Sequence, residues 1–278
     1  MRRRLIQWTA LLMCNPLLMN FLDGRLYKGA LKNICAPGLN CWSCPAAVLA
    51  CPIGALQAIG GSMQFNVGLY PLGFMLLIGL LIGRAVCGYL CPFGLIQELL
   101  FKLPLKKLTL PRGAVRIKYF VLIVFVLIMP AALTNYAGIG EPAFCEYICP
   151  AGTLEAGLPM MIVHSEFRSV LGNLFALKVA VLLIVLIGNA TVERFFCKVL
   201  CPLGALYGLL NRISFYRLTI DNEKCIGCGR CSKACPMSIE PTVENNSVEC
   251  VRCQRCSNDC PTKALNFKCD SLFNKQGD

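Results

Sequence analysis

Apolar residues gather in four long runs, over residues 5–22, about 66–86, about 117–136 and about 172–190, separated by polar or Gly/Pro/Cys-rich stretches. Each run is close to the roughly 20 residues that a helix needs to cross a hydrocarbon core of about 30 Å, so the pattern predicts four membrane-spanning helices. The first run is not read as a signal peptide. It is too long for an h-region, lacks a small-residue cleavage site, and contains Cys14 and Pro16. A lipoprotein reading at Cys14 fails because Met13 precedes it where a small residue is wanted. Charge is distributed unevenly around the runs. Arg2, Arg3 and Arg4 open the chain, Lys102, Lys106, Lys107, Arg112, Arg116 and Lys118 follow the second run, and 191–217 is basic, whereas 137–171 is net acidic with Glu146, Glu155 and Glu166. Positive charge stays on the cytoplasmic side. The expectation is therefore a multi-pass protein of the inner (cytoplasmic) membrane, with both termini cytoplasmic and residues 23–65 and 137–171 outside.

Composition supports a lipid bilayer as one partner. Hydrophobic residues make up 56% of the 278, charged ones 15%, and the mean hydropathy is +0.61. A formal charge of +12 would suit nucleic acid, but that count treats all 20 cysteines as neutral. An oxidised cubane with four thiolates carries about −2, so several clusters would remove most of the excess and no nucleic-acid partner is expected. His164 is the one histidine, and there is no C-x-x-C-H, so no haem is expected. No G-x-G-x-x-G or G-x-x-x-x-G-K-[ST] occurs, and the apolar runs hold no acid/base pair for hydrolysis.

The cysteines carry the chemistry. Residues 225–236 read C-IG-C-GR-C-SKA-C-P and residues 250–261 read C-VR-C-QR-C-SND-C-P. Two copies of C-x2-C-x2-C-x3-C-P make the bacterial two-cluster ferredoxin pattern, in which the fourth cysteine of each run ligates the other cluster. This assigns Cys225, Cys228, Cys231 and Cys260 to one [4Fe–4S] cluster, and Cys250, Cys253, Cys256 and Cys235 to a second. A zinc ribbon or a disulfide knot does not use this triple spacing twice with a trailing Cys-Pro.

A shift of 110 residues superposes Arg84, Cys87, Cys91, Pro92 and Gly94 on Arg194, Cys197, Cys201, Pro202 and Gly204, and Cys35 on Cys145. The part before residue 216 then reads as two parallel two-helix repeats, about 1–105 and 111–215. In C-x3-C-P the two cysteines lie on one helix face, and the proline ends the helix at the second. Two such ends facing each other offer four thiolates, which predicts a third cluster on Cys87, Cys91, Cys197 and Cys201 near the cytoplasmic surface. Buried, unligated cysteines are the alternative. Arg84 and Arg194, one turn earlier, either offset cluster charge or reach for headgroups. A fourth cluster, on the outer side, would take Cys145 and Cys149 with two or three of Cys41, Cys44 and Cys51, in competition with Cys35. The expected fold is mainly α: a four-helix transmembrane bundle of two two-helix repeats (1–215), followed by a C-terminal α+β two-cluster ferredoxin module (216–278) on the cytoplasmic side.

At C87-GYL-C91-PFG, C197-KVL-C201-PLG and the 225–260 module, the chain resembles the NapH/NosR-type membrane polyferredoxins, and the likeness covers nearly its whole length. The resemblance implies electron transfer between a quinol pool and respiratory or maturation enzymes, with other redox subunits and a quinone as expected partners. The third C-x3-C-P at Cys145 and the cysteine-rich 35–51 loop exceed that family's simpler pattern, and no flavin-binding domain is visible. Two functions follow as expectations. One is a conduit carrying electrons across or along the membrane, with the chain as an electron-transfer subunit of an oxidoreductase complex. The other is an accessory protein that reduces a metal or disulfide while a partner enzyme is assembled. A bilayer core of about 30 Å is far for one hop between clusters on opposite surfaces.

Overall fold

The computed structural model describes residues 2–61, 69–133, 140–166 and 172–269. Helices dominate, and the one sheet among the described residues is a two-stranded antiparallel ribbon, Tyr216–Ile220 paired with Leu265–Cys269.

The expected four-helix transmembrane bundle is not what the chain forms. Among the described residues, two helices are long and apolar enough to cross a membrane, Gly113–Ala132 and Asn173–Thr191. The first apolar run breaks: its helix Arg2–Cys14 has 13 residues and stops at Asn15-Pro16. Proline brings no N–H to the helix and disfavours helical geometry in the residue before it. The second run yields Tyr70–Ile82, also 13 residues, which ends at Gly83 in a left-handed turn (φ +56°). At about 1.5 Å per residue each short helix covers only about 20 Å. The proposed start of that run at Asn66 and the end of the third at Tyr136 lie outside the described residues. The two halves are thus unequal, a short helix in the first standing against a long one in the second.

The 113–132 helix carries its own irregularity. Residues Leu122–Ile128 wind as a π-helical stretch just ahead of Pro130. Proline removes one helical hydrogen bond and crowds the preceding turn, and a wider turn relieves both. Much of this helix and of Asn173–Thr191 faces outward, with Phe120, Ile123, Ile128, Leu183, Ile184 and Ile187 all exposed.

The cysteine-bearing turns have one construction. In the three C-x3-C-P turns before residue 216, the second cysteine donates its N–H to the carbonyl five residues back: Cys91 to Val86, Cys149 to Phe144 and Cys201 to Phe196. That cysteine is extended, with ψ between 109° and 116°, as the following proline demands. The proline then occupies the first turn of a new helix, where a missing N–H costs nothing. Pro52–Gly61, Pro92–Leu100 and Pro202–Leu210 all begin this way, and Pro150 opens the short Pro150–Gly152 turn. Sequence reasoning reads the proline as a stop; it is also a start. One hydrophobic core takes in Leu39, Cys51, Cys87, Cys91, Cys149, Cys201, Cys250 and Cys253, so cysteines from all parts of the chain share an interior.

Candidate metal centres

The C-terminal motifs form two pockets. Cys225, Cys228, Cys231 and Cys260 line one cavity of about 70 Å³, and Cys235, Cys250, Cys253 and Cys256 line another. These are the interlocked groupings that the spacing predicts. Each loop needs left-handed backbone at the second and fourth positions after its first cysteine. Gly227 and Gly229 meet that need in the first motif without strain, whereas Arg252 (φ +48°) and Gln254 (φ +61°) stand there in the second. Tertiary contacts hold those two in place: Arg252 is fully buried and donates to the Asn211 carbonyl (2.7 Å), and Gln254 donates to the Tyr216 hydroxyl (2.6 Å).

Cys87, Cys91, Cys197 and Cys201 converge in the core, each at most 6% exposed. Burial pushes the Cys91 and Cys201 thiols up, and the neighbouring sulfurs of the same set push them further. Two arginines cross between the halves. Arg84 donates to the Cys197 carbonyl (3.4 Å), and Arg194 donates to the Cys87 carbonyl (2.9 Å). Both are fully buried, so neither reaches toward headgroups. Burial is the largest influence and would lower Arg84 and Arg194, but Glu249 with the Cys87 and Cys197 sulfurs, and Glu98 with the Cys197 and Cys253 sulfurs, together outweigh it and hold both charged. Arg194 sits in left-handed backbone (φ +55°), a conformation that costs a non-glycine residue of order 1–3 kcal/mol, and its buried pairing with Glu98 (2.5 Å) fixes it there.

The candidates for the fourth set lie in different places. Cys41, Cys51, Cys145 and Cys149 line a cavity of about 140 Å³ together with Gly54, Gly152 and Lys178. After burial, it is the sulfurs of this set that raise the Cys145 and Cys149 thiols. Cys44 is buried in a separate small cluster with Ala46, Ala47 and Ala156, and Cys35 pairs its backbone with Ala50; neither lines the cavity. Glu155 is a residue that sequence reasoning missed here. It accepts the Cys41 N–H (2.9 Å), its other carboxylate oxygen has no hydrogen-bond partner, and burial pushes it up to about 7 while the Cys41 N–H draws it down.

The sets adjoin one another in series. Gly38 packs so closely on the Cys91 backbone that an added Cβ would lie 2.7 Å from the Cys91 Cα, and the next two residues, Leu39 and Asn40, line the cavity of Cys41, Cys51, Cys145 and Cys149. Three consecutive residues therefore run from the Cys87 set to the Cys145 set. On the other side Gly88 packs so closely under Val251 and Cys253 that an added Cβ would lie 2.6 Å from the Val251 carbonyl oxygen. The Asn173–Thr191 helix gives a scale: Lys178 lines the Cys145 cavity, and Asn189 accepts the Phe196 N–H beside Cys197. Eleven residues of helix are about 16 Å, half of the bilayer distance that sequence reasoning had to span.

The donor chemistry suits iron–sulfur cubanes. Four buried soft thiolates repel one another and require a cationic centre, and four cysteines are the complement of one [4Fe–4S] cluster. Among the described residues no three of His, Cys, Asp or Glu lie close enough to share a single metal ion. A cubane does not ask for that, since its four thiolates bind four different irons.

The fold and these cysteine sets define a class, the iron–sulfur electron-transfer proteins. A family model described as a 4Fe-4S binding domain matches residues 66–111, 121–158 and 173–218, and a second one of the same description matches 218–239. The chain belongs to the family of 4Fe–4S ferredoxin-type electron transport proteins. It is 31% identical over 200 residues to an uncharacterised protein of Methanocaldococcus jannaschii, covering 69% of this chain and 75% of that one. It is 32% identical over 187 residues to the methylamine utilization ferredoxin-type protein MauN of Paracoccus denitrificans, covering 66% and 56% of the two chains. The putative electron transport protein YccM of Escherichia coli is 30% identical over 175 residues, 59% of this chain and 44% of its own. No solved structure matches.

Proposed function

We propose that this protein is a membrane-embedded relay that passes electrons between a soluble partner at its C-terminal end and a second partner at the Cys145 end. A bound cubane takes up and gives back one electron; the chain's part is to hold four of them in sequence. The order supported is the Cys225 set, the Cys250 set, the Cys87 set and the Cys145 set. The observation that carries the reading is the Gly38–Asn40 stretch, packed on the Cys91 backbone at one end and lining the Cys145-set cavity at the other. Residues 216–278 act as the receiving unit and residues 1–215 as the conducting one. Two buried ion networks tie them together, Arg84 and Lys118 on Glu249, and Arg194, Arg3 and Arg255 on Glu98.

The outward apolar faces of Gly113–Ala132 and Asn173–Thr191 support membrane embedding, because an unpartnered apolar band this long favours lipid over water. With these two spans both termini lie on one side, and the basic 102–118 segment favours the cytoplasm for it. A cavity of about 380 Å³ lined by Tyr27, Lys28, Lys32 and Trp42, next to Cys41, supports a small carrier such as a quinone as the second partner.

Two measurements test this reading. Protein purified without oxygen is expected to carry about sixteen iron atoms per chain and four one-electron EPR transitions, where about eight would confine the chemistry to the ferredoxin motifs and end the proposal. A reporter fused after residue 150 is expected to read as extracytoplasmic and one at the C-terminus as cytoplasmic; the same side for both would remove the spanning arrangement.

A further inference from the structure

Two glutamines occupy one position in two different sites. Gln57 is six residues after Cys51, in C-PIGAL-Q, and Gln97 six after Cys91, in C-PFGLI-Q. Both are fully buried. The Gln97 Nε2 donates to the Cys197 sulfur at 3.1 Å and to its own helix at the Phe93 carbonyl (3.3 Å), while Oε1 accepts the Cys197 N–H (3.3 Å). The Gln57 Nε2 donates to the Cys145 sulfur at 3.1 Å and to the Ile53 carbonyl (3.3 Å), while Oε1 accepts the Phe144 N–H (2.9 Å). The amide orientation is forced. A backbone N–H can pair only with the oxygen end, so the NH2 end must face the sulfur. In each case the helix that follows one Cys-Pro turn reaches across to the first cysteine of the facing C-x3-C. The equivalent positions after Cys149 and Cys201 hold Glu155 and Tyr207, which instead take a backbone N–H and a backbone carbonyl.

We infer that Gln57 and Gln97 are positioning residues that hydrogen-bond one ligating thiolate in the Cys145 and Cys87 sets respectively and thereby raise the reduction potential of the cluster each set holds. A hydrogen bond to a thiolate draws electron density from the sulfur and eases addition of an electron to the iron, and such bonds are among the factors that set cluster potentials. A glutamine does this without adding a charge to a buried site, where charge is expensive. The inference rests on the relay reading, because it presupposes clusters in both sets.

The test is an EPR-monitored redox titration of the full-length, iron-loaded protein carrying Gln97→Leu or Gln57→Leu. Gln97→Leu is expected to lower the midpoint of the Cys87-set cluster alone, and Gln57→Leu that of the Cys145-set cluster alone. Each shift is expected to be about tenfold in the reduced-to-oxidised ratio at fixed poise, or about 59 mV for one electron. Gln97→Glu and Gln57→Glu keep the shape, place a carboxylate where the donor was, and are expected to lower the same midpoints further. Full iron with unmoved midpoints overturns the inference. So does loss of iron from both variants at one site, which would leave the glutamine a purely structural bracket. Wild-type protein without clusters in these sets would instead overturn the relay itself.

Discussion

Replacing Cys201 with serine is expected to sever the relay at its middle while leaving its soluble end intact. Cys201 is 5% exposed, packs with Cys87, Cys91 and Cys197, and its sulfur accepts the Gly204 N–H at 3.3 Å. A serine hydroxyl is harder and far less acidic than a thiol, so it is a poor substitute for a soft ligand to iron. Iron content should fall from about sixteen to about twelve per chain, with one EPR transition lost. The two ferredoxin signals should persist, because their cysteines belong to other sets. Reduction of the Cys145-set cluster by a donor acting at the Cys225 end should stop, since the cluster set adjoining it across Gly38–Asn40 would be lost. Unchanged iron, or undiminished reduction of the far cluster, would sink the series arrangement. The same result is expected for Cys51→Ser at the Cys145 set. Cys44→Ser, by contrast, should keep full iron, because that thiol lies outside the cavity.

Removing Glu98 should produce the largest loss of stability. Its Oε1 accepts from Arg194 at 2.5 Å and 3.1 Å, its Oε2 from Arg3 at 2.5 Å, and Arg255 stands 3.6 Å away. Arg194 has no exposed side-chain area, so Glu98→Ala leaves a guanidinium buried without its counter-charge. Breaking one partner of such a pair costs about 3–5 kcal/mol. The melting temperature of the iron-loaded protein should fall sharply, and an unchanged value would show that the pair is idle. Acid should reveal the same bond. Burial pushes the Glu98 carboxyl up, but Arg194 and Arg3 outweigh it and hold it below its ordinary 4.5. A carboxylate lowered on folding contributes stability that is complete above the ordinary value and disappears as pH falls through the lower folded one. Wild-type protein should therefore lose stability on acidification through that range more steeply than Glu98→Gln; parallel curves would count against the assignment.

Much of the site was legible along the chain, and the reason is local geometry. The left-handed turns at Gly227 and Gly229, the extended cysteine before a proline and the restart of a helix at that proline depend only on residues a few places apart, whereas Arg252 and Gln254 keep the same geometry through contacts with Asn211 and Tyr216. The two ferredoxin groupings follow from them. What misled the hydropathy reading was length without interruption. The 5–22 run is mostly apolar and carries no charge, yet Pro16 cuts its helix at Cys14, and Gly83 ends Tyr70–Ile82 after 13 residues. Beyond the second break Ala85 and Val86 enter the core, whereas Leu18, Met19 and Leu22 beyond the first stay exposed. Gln57 and Gln97 left a trace that could have been followed, the repeated C-P-x-G-x-x-Q, but only their reach to another segment's sulfur gives that trace a meaning.

The cysteine spacing was enough to point to 4Fe–4S chemistry and to the turns that carry it, because ligand chemistry and turn geometry are short-range properties. Only the tertiary structure brings Cys41 and Cys51, rather than Cys44, to the cavity that Cys145 and Cys149 line. It also turns Arg84 and Arg194 inward to carbonyls across the pseudo-repeat. Those choices depend on how segments a hundred residues apart pack, and no pattern within a single segment encodes the distance between two of them.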